Sequence, residues 1–218
     1  MRIARYHDVM AMQHGTADQE SRSPTPRPGA EQRIVLHGVE WKTYLMLNDA
    51  VDTPGVRMAY CEGALEIMTV SPEHETLKKM LARLLELFAL ERGVPLYGYG
   101  QTTFRKEAKK RGLEPDECYC VGAALRNVPD IAVEIALTSG GVDKLSIYEG
   151  LGVAEVWIWE DGRLTVHALS ATGYEARTES ALVPGLDFEV FSRFIVREDQ
   201  PQAALEFRAW TQGQVPSK

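Results

Sequence analysis

In the stretch PDIAVEIALTSGGVDK, residues 129–144, two carboxylates and a lysine stand in and just after an apolar run. Residues 130–137 alternate as a strand does, so Val133, Ile135 and Leu137 share one face while Asp130, Ala132, Glu134 and Ala136 share the other. A carboxylate in a buried strand is costly unless a cation or a donor offsets it, and the small alanines beside Glu134 leave room for one. Asp130 and Glu134 lie about 13 Å apart along such a strand, whereas oxygen ligands sit about 2.1 Å from Mg²⁺. One ion does not bridge them, and Asp130 is a secondary candidate. Glu134 therefore needs a partner from a neighbouring strand, and Asp116, at the opening of the CYCV strand, is the natural one. Glu73 or His74 can complete the shell from the mouth of a helix. Lys144 lies three residues before Ile147 and four before Tyr148, on the inward stripe of a second helix. A lysine beside paired carboxylates can orient an attacking water or support the charge of a phosphorane-like transition state. Each residue has a plainer alternative: an ion pair for Glu134 with Lys144, a turn cap for Asp116, a loop end for Asp130, and favourable first-turn placement for Glu73 and His74.

Several elements must position these groups. SPEHETLKKMLARLLELFALERG (71–93) is the clearest helix, with Ser71 as cap, Pro72 in the first turn, apolar residues at helical spacing and Gly93 as stop. Glu73 and His74 are both expected at the start of its buried face. VRMAYCEGALEIMTV predicts a hairpin turning at Glu62-Gly63, and VAEVWIWEDGRLTVHAL another turning at Asp161-Gly162. Residues 39–51 predict a short helix, 94–106 a strand, 141–151 a helix ended by Gly152, and the segments PGLDFEVFSRFI and ALEFRAWTQ short closing helices. This order describes an α/β (α+β) domain with a mixed sheet and at least one crossover helix. The basic run KEAKKRG (106–112) suits a solvated surface better than a phosphate contact.

The 218 residues fit one domain with extensions: a flexible arm over 1–32, rich in Pro, Ser and charge, a domain over 33–200, and a helical tail over 201–218. The formal charge of −7 excludes a bulk polycation, so nucleic acid could be bound only through a local basic patch or a metal. Three cysteines, Cys61, Cys118 and Cys120, form neither a disulfide framework nor a zinc pattern and suit a reducing cytoplasm. No apolar run is long enough to cross a membrane, and none resembles a signal peptide.

Taken together, SPEH (71–74), LEPDECYCV (113–121), VPDIAVEIALTS (128–139), DKLSIYEGLGVAEVWIW (143–159) and PGL (184–186), with RIVLHGVEWKTY near the start, resemble the Uma family of bacterial proteins. That family is placed in the PD-(D/E)XK nuclease superfamily, which includes many restriction enzymes. The resemblance spans about residues 33–195. It implies a restriction-endonuclease-like three-layer core with a central mixed β-sheet flanked by helices. It also implies an endonuclease acting on DNA with Mg²⁺ (or Mn²⁺) held by Asp116 and Glu134. Lys144 would serve as the catalytic lysine, with Glu73 or His74 auxiliary, and a symmetric homodimer would cut the two strands. The chain departs from the superfamily pattern in having Ala136 where the strand lysine would stand; Lys144 on the following helix takes that place. The alternative is a catalytically inactive nuclease-fold module for nucleic-acid or protein interaction.

Overall fold

The computed structural model describes residues 31–213, apart from 52, 123, 125, 139 and 140. The expected arm over 1–32 thus lies almost wholly outside the described residues, as do the last five positions of the expected tail.

The element order is β1 (Gln32–Leu36), α1 (Trp41–Ala50), β2 (Val56–Cys61), β3 (Ala64–Thr69), α2 (Pro72–Arg92), β4 (Leu96–Gly98), β5 (Phe104–Lys106), β6 (Arg111–Leu113), β7 (Glu117–Val121), β8 (Ile131–Ala136), α3 (Lys144–Leu151), β9 (Glu155–Glu160), β10 (Arg163–Ser170), β11 (Gly173–Arg177), α4 (Phe188–Ile195) and α5 (Gln200–Gly213). They build two sheets among the described residues. One is five-stranded and antiparallel, in the order β1-β3-β2-β6-β5; the other is six-stranded, in the order β11-β10-β9-β8-β7-β4. The second is the expected mixed sheet. Its β8 and β9 run parallel while its other pairs are antiparallel. Parallel neighbours need a crossover, and α3 supplies it.

The mixed sheet is covered on both faces. Ile131, Val133 and Ile135 of β8 and Trp157 and Trp159 of β9 pack on one side against Leu81, Leu84 and Phe88 of α2, Phe191 of α4 and Phe207 of α5. Ala132 and Val156 look the other way, into a core with Ile147, Tyr148 and Leu151 of α3 and Ala59 and Leu113 of the five-stranded sheet. The alternation anticipated for 130–137 is therefore present in space. A third cluster, with Tyr44 stacked on Tyr60 at 5.0 Å, seats α1 on β2 and β3.

Local signals explain the element ends. Ser71 accepts from the His74 N–H at 3.1 Å, Pro72 opens α2, and Gly93 ends it with φ 67°. Asp143 caps α3 through the Ser146 N–H at 3.2 Å, which makes Lys144 its first residue rather than an interior one. The single strand expected over 94–106 is two strands in different sheets. Gly100, at φ 55°, takes a left-handed conformation that breaks the run and sends the chain from the mixed sheet to the other. The basic run spans the end of β5, an exposed 3₁₀ turn, Glu107–Lys109, and the start of β6, where Gly112 is buried.

Candidate active site

The register Glu117↔Val133 and Cys118↔Ala132 between β7 and β8, continued by one step, sets Asp116 opposite Glu134. Residues directly opposite on antiparallel strands share a face, with Cβ atoms about 4.5–5.5 Å apart. The bond from the Ile135 N–H to Asp116 Oδ2 at 2.8 Å fixes that geometry. Both carboxylates are 2% exposed.

Lys144 reaches back from the first turn of α3, and its Nζ lies 2.6 Å from Glu134 Oε2. One turn further on, the Tyr148 hydroxyl donates a short hydrogen bond to Glu134 Oε1. His74, fully buried at the start of α2, stands behind Asp116. Its Nε2 is 2.9 Å from Asp116 Oδ1, an ion-pair contact. Its Nδ1 is 2.6 Å from Glu31 Oε1. A cleft of about 10 Å³, the room of about one water, opens onto Asp116 and Lys144, with Arg57, Glu66 and Glu114 in its walls.

The charges respond to this crowding. Burial alone would lower the pKa of His74, but the Asp116 and Glu31 carboxylates outweigh it and hold it at about 9. Burial works against ionisation of Asp116, yet His74, the Lys144 charge and the Ile135 N–H keep it below the usual carboxylate range. At Glu134, burial comes first and the neighbouring Asp116 charge adds to it, so its pKa is raised despite Lys144 and Tyr148. Lys144 is held above its ordinary value because Glu134 and Asp116 outweigh its burial. Of the two facing carboxylates, Glu134 is the one most in need of positive charge.

Four of the residues singled out from the sequence thus come together: Asp116, Glu134, Lys144 and His74. Two do not. Glu73 is exposed, contrary to the inward placement expected of it. Consecutive helical residues point about 100° apart, and the turn that drives His74 into the core carries Glu73 out to solvent. Asp130 serves the other end of β8, accepting from the Val121 N–H at 2.8 Å and from Arg126 at 3.0 Å.

Further residues belong to the site's support. Glu31, on the edge of the expected arm, fixes the ring of His74. Glu66 of β3, 2% exposed, accepts from the Val142 N–H at 2.9 Å and so holds the turn that launches α3. Gly141 makes room for it: at φ 110° it suits glycine, and a Cβ there would overlap the Glu66 carboxylate. Tyr148 completes the group. The signal that singles out Glu134, an acid inside an apolar strand, is present at Glu66 in ALEIMT; Glu31 carries no comparable signal.

A divalent ion can be tested against these donors. Mg²⁺ is ordinarily bound through one or two carboxylates together with waters and substrate phosphates. Asp116 and Glu134 fit that mode, while no group of three His, Cys, Asp or Glu side chains among the described residues makes a self-sufficient metal cage.

A mixed sheet crossed by a helix carries paired acids on one face, and a lysine of that helix sits on one of them, an arrangement suited to nuclease chemistry. A family model described as "Uma2: Putative restriction endonuclease" matches residues 41–191, more than half of the sequence, and the chain belongs to that family. A solved structure from Anabaena variabilis ATCC 29413, described as a putative nuclease belonging to DUF820, shares the fold with a TM-score of 0.51 at 12% identity, over 72% of this chain and 99% of that one. No curated protein matches. No helix of the described residues is long and apolar enough to cross a membrane.

Proposed function

We propose that this nuclease is a Mg²⁺- or Mn²⁺-dependent endonuclease that hydrolyses phosphodiester bonds in DNA. The observation that carries the reading is the pairing of Asp116 with Glu134 across β7 and β8, with Lys144 on Glu134. Asp116 and Glu134 would hold the ion, which when bound polarises a phosphate and lowers the pKa of a coordinated water. The chain's own groups do the rest. The Ile135 N–H and His74 hold Asp116 in one orientation and keep it ionised. Tyr148 anchors one oxygen of Glu134, leaving the oxygen facing Lys144 as the adaptable one. The Lys144 ammonium, held charged by both acids, orients a water or supports charge gathering on the phosphate oxygens. A symmetric homodimer, each protomer cutting one strand, is the assembly proposed by analogy with the superfamily.

A second reading, an inactive nuclease-fold module that binds nucleic acid or protein, draws support from the same contacts: Lys144 and Tyr148 occupy both oxygens of Glu134, and Ala136 stands at the strand-lysine position. Incubation of supercoiled plasmid and of a labelled RNA with Mg²⁺, Mn²⁺ or EDTA decides. The endonuclease reading requires metal-dependent nicking of the plasmid that Glu134→Ala and Asp116→Ala abolish. Cleavage unchanged in either variant, or no cleavage by the wild type, refutes it. Cleavage of RNA alone refutes the DNA assignment.

A further inference from the structure

Arg57, on β2 of the five-stranded sheet, lines the same cleft as Asp116 and Lys144. Its guanidinium is poorly served. One N–H of Nη1 donates to the Val56 carbonyl at 3.0 Å, Nη2 lies 4.0 Å from Glu75 Oε1, and Nε is buried with no hydrogen-bond partner among the described residues. A guanidinium offers five N–H donors in a rigid fork that matches phosphate oxygens, and only one of these makes a good bond here. Arg57, with Met58 and Glu114, also lines a larger groove of about 490 Å³ bordered by Asn48, Gln101 and Thr103. That size is within the range of small-molecule sites, and these neutral side chains can hydrogen-bond sugars or bases. Carboxylates also face the cleft, at Glu66, Glu114 and Asp116, so an approaching phosphate must be met by a donor rather than drawn in by net charge. Among the described residues, Arg57 and Lys144 are the two cations in its walls.

We propose that Arg57 is a phosphate-binding residue of the site, gripping the nucleic-acid backbone beside Asp116 and Lys144 and directing the strand into the Asn48–Gln101–Thr103 groove. This rests on the endonuclease reading. The test measures binding of a fluorescein-labelled 20-base-pair DNA duplex by anisotropy, in EDTA, across a salt series, for wild type, Arg57→Gln and Arg57→Lys, with thermal unfolding as the control for folding. Charge-assisted bonds of this kind are worth roughly ten- to hundredfold in affinity. Arg57→Gln is therefore expected to weaken binding on the order of tenfold or more, and to reduce the slope of log K against log salt by about one. Arg57→Lys should recover the slope and less of the affinity, since it restores the charge without the fork. It also carries the test if the glutamine variant fails to fold. Unchanged affinity and slope in a folded Arg57 variant of a wild type that binds and cleaves DNA would overturn this inference alone. A wild type that neither binds nor cleaves would overturn it together with the endonuclease reading.

Discussion

Replacing Lys144 by methionine keeps the length and apolar stem of the side chain and removes the ammonium. Glu134 then faces Asp116 with Tyr148 as its remaining donor, while 3% of its side chain is exposed. Breaking a buried ion pair from one side costs about 3–5 kcal/mol, because the remaining charge is left uncompensated. For a chain of this size each kcal/mol moves Tm by about 2–4 °C, so the loss should be roughly 6–20 °C. The sign with pH follows from Glu134, whose pKa is already raised in the folded state and rises further without Lys144. A raised acid is least costly when protonated, so the penalty should shrink toward pH 5 and grow toward pH 8. Glu134→Gln/Lys144→Met removes both charges, and its loss should be well below the sum of the two single losses. Differential scanning fluorimetry of the four proteins in EDTA between pH 5 and 8 measures the cycle. Additive single losses, or a penalty for Lys144→Met independent of pH, would refute the coupling on which the site is built.

Further expectations follow from the supporting residues. The folded pKa of His74, about 9, stands above its ordinary 6.5; it therefore contributes stability in full below about pH 6.5 and loses it as pH rises through 9. His74→Gln should cost at most about 3 kcal/mol near pH 6 and little at pH 10, read by urea unfolding in EDTA. Gly141→Ala forces either the Glu66 carboxylate or the 141–142 turn to move, so it should lower both Tm and nuclease rate. Pairing it with Glu66→Ala, which vacates the space, should cost less than the two losses added; an unchanged Tm and rate in Gly141→Ala would show that the turn does not depend on the fit.

The acids and the lysine were legible because each announces itself locally. Strand alternation gives Glu134 its face, helical spacing turns Lys144 inward, and the Ser71–Pro72 start sets the phase of α2. That phase also decides Glu73 against His74, but adjacent first-turn residues could be told apart only once α2 had been laid on the mixed sheet. The pairing of Asp116 with Glu134 depends on a register between strands, which strand pattern alone does not specify. The five-stranded sheet was less visible still. Its hairpin, β2–β3, is a local feature, but the addition of β1 and β6 to its two sides is a long-range contact, so Glu66, Arg57 and Glu31 had no reason to be gathered at the site. The break of 94–106 into β4 and β5 is the same problem seen along the chain: Gly100 marks a possible bend, while the two sheets that receive the halves are set by packing.

The chain between β6 and β7 passes from the five-stranded sheet to the mixed one and delivers Asp116 at the crossing. The groups gathered at the candidate site are therefore properties of a seam rather than of either sheet. Asp116 and Glu134 come from one side, Arg57 and Glu66 from the other, and Lys144 from the helix wedged between them. A chain with only one sheet formed holds an incomplete set of these groups, so the site exists only in the fully assembled fold. On the endonuclease reading, a nascent or partly unfolded copy would hold no complete site.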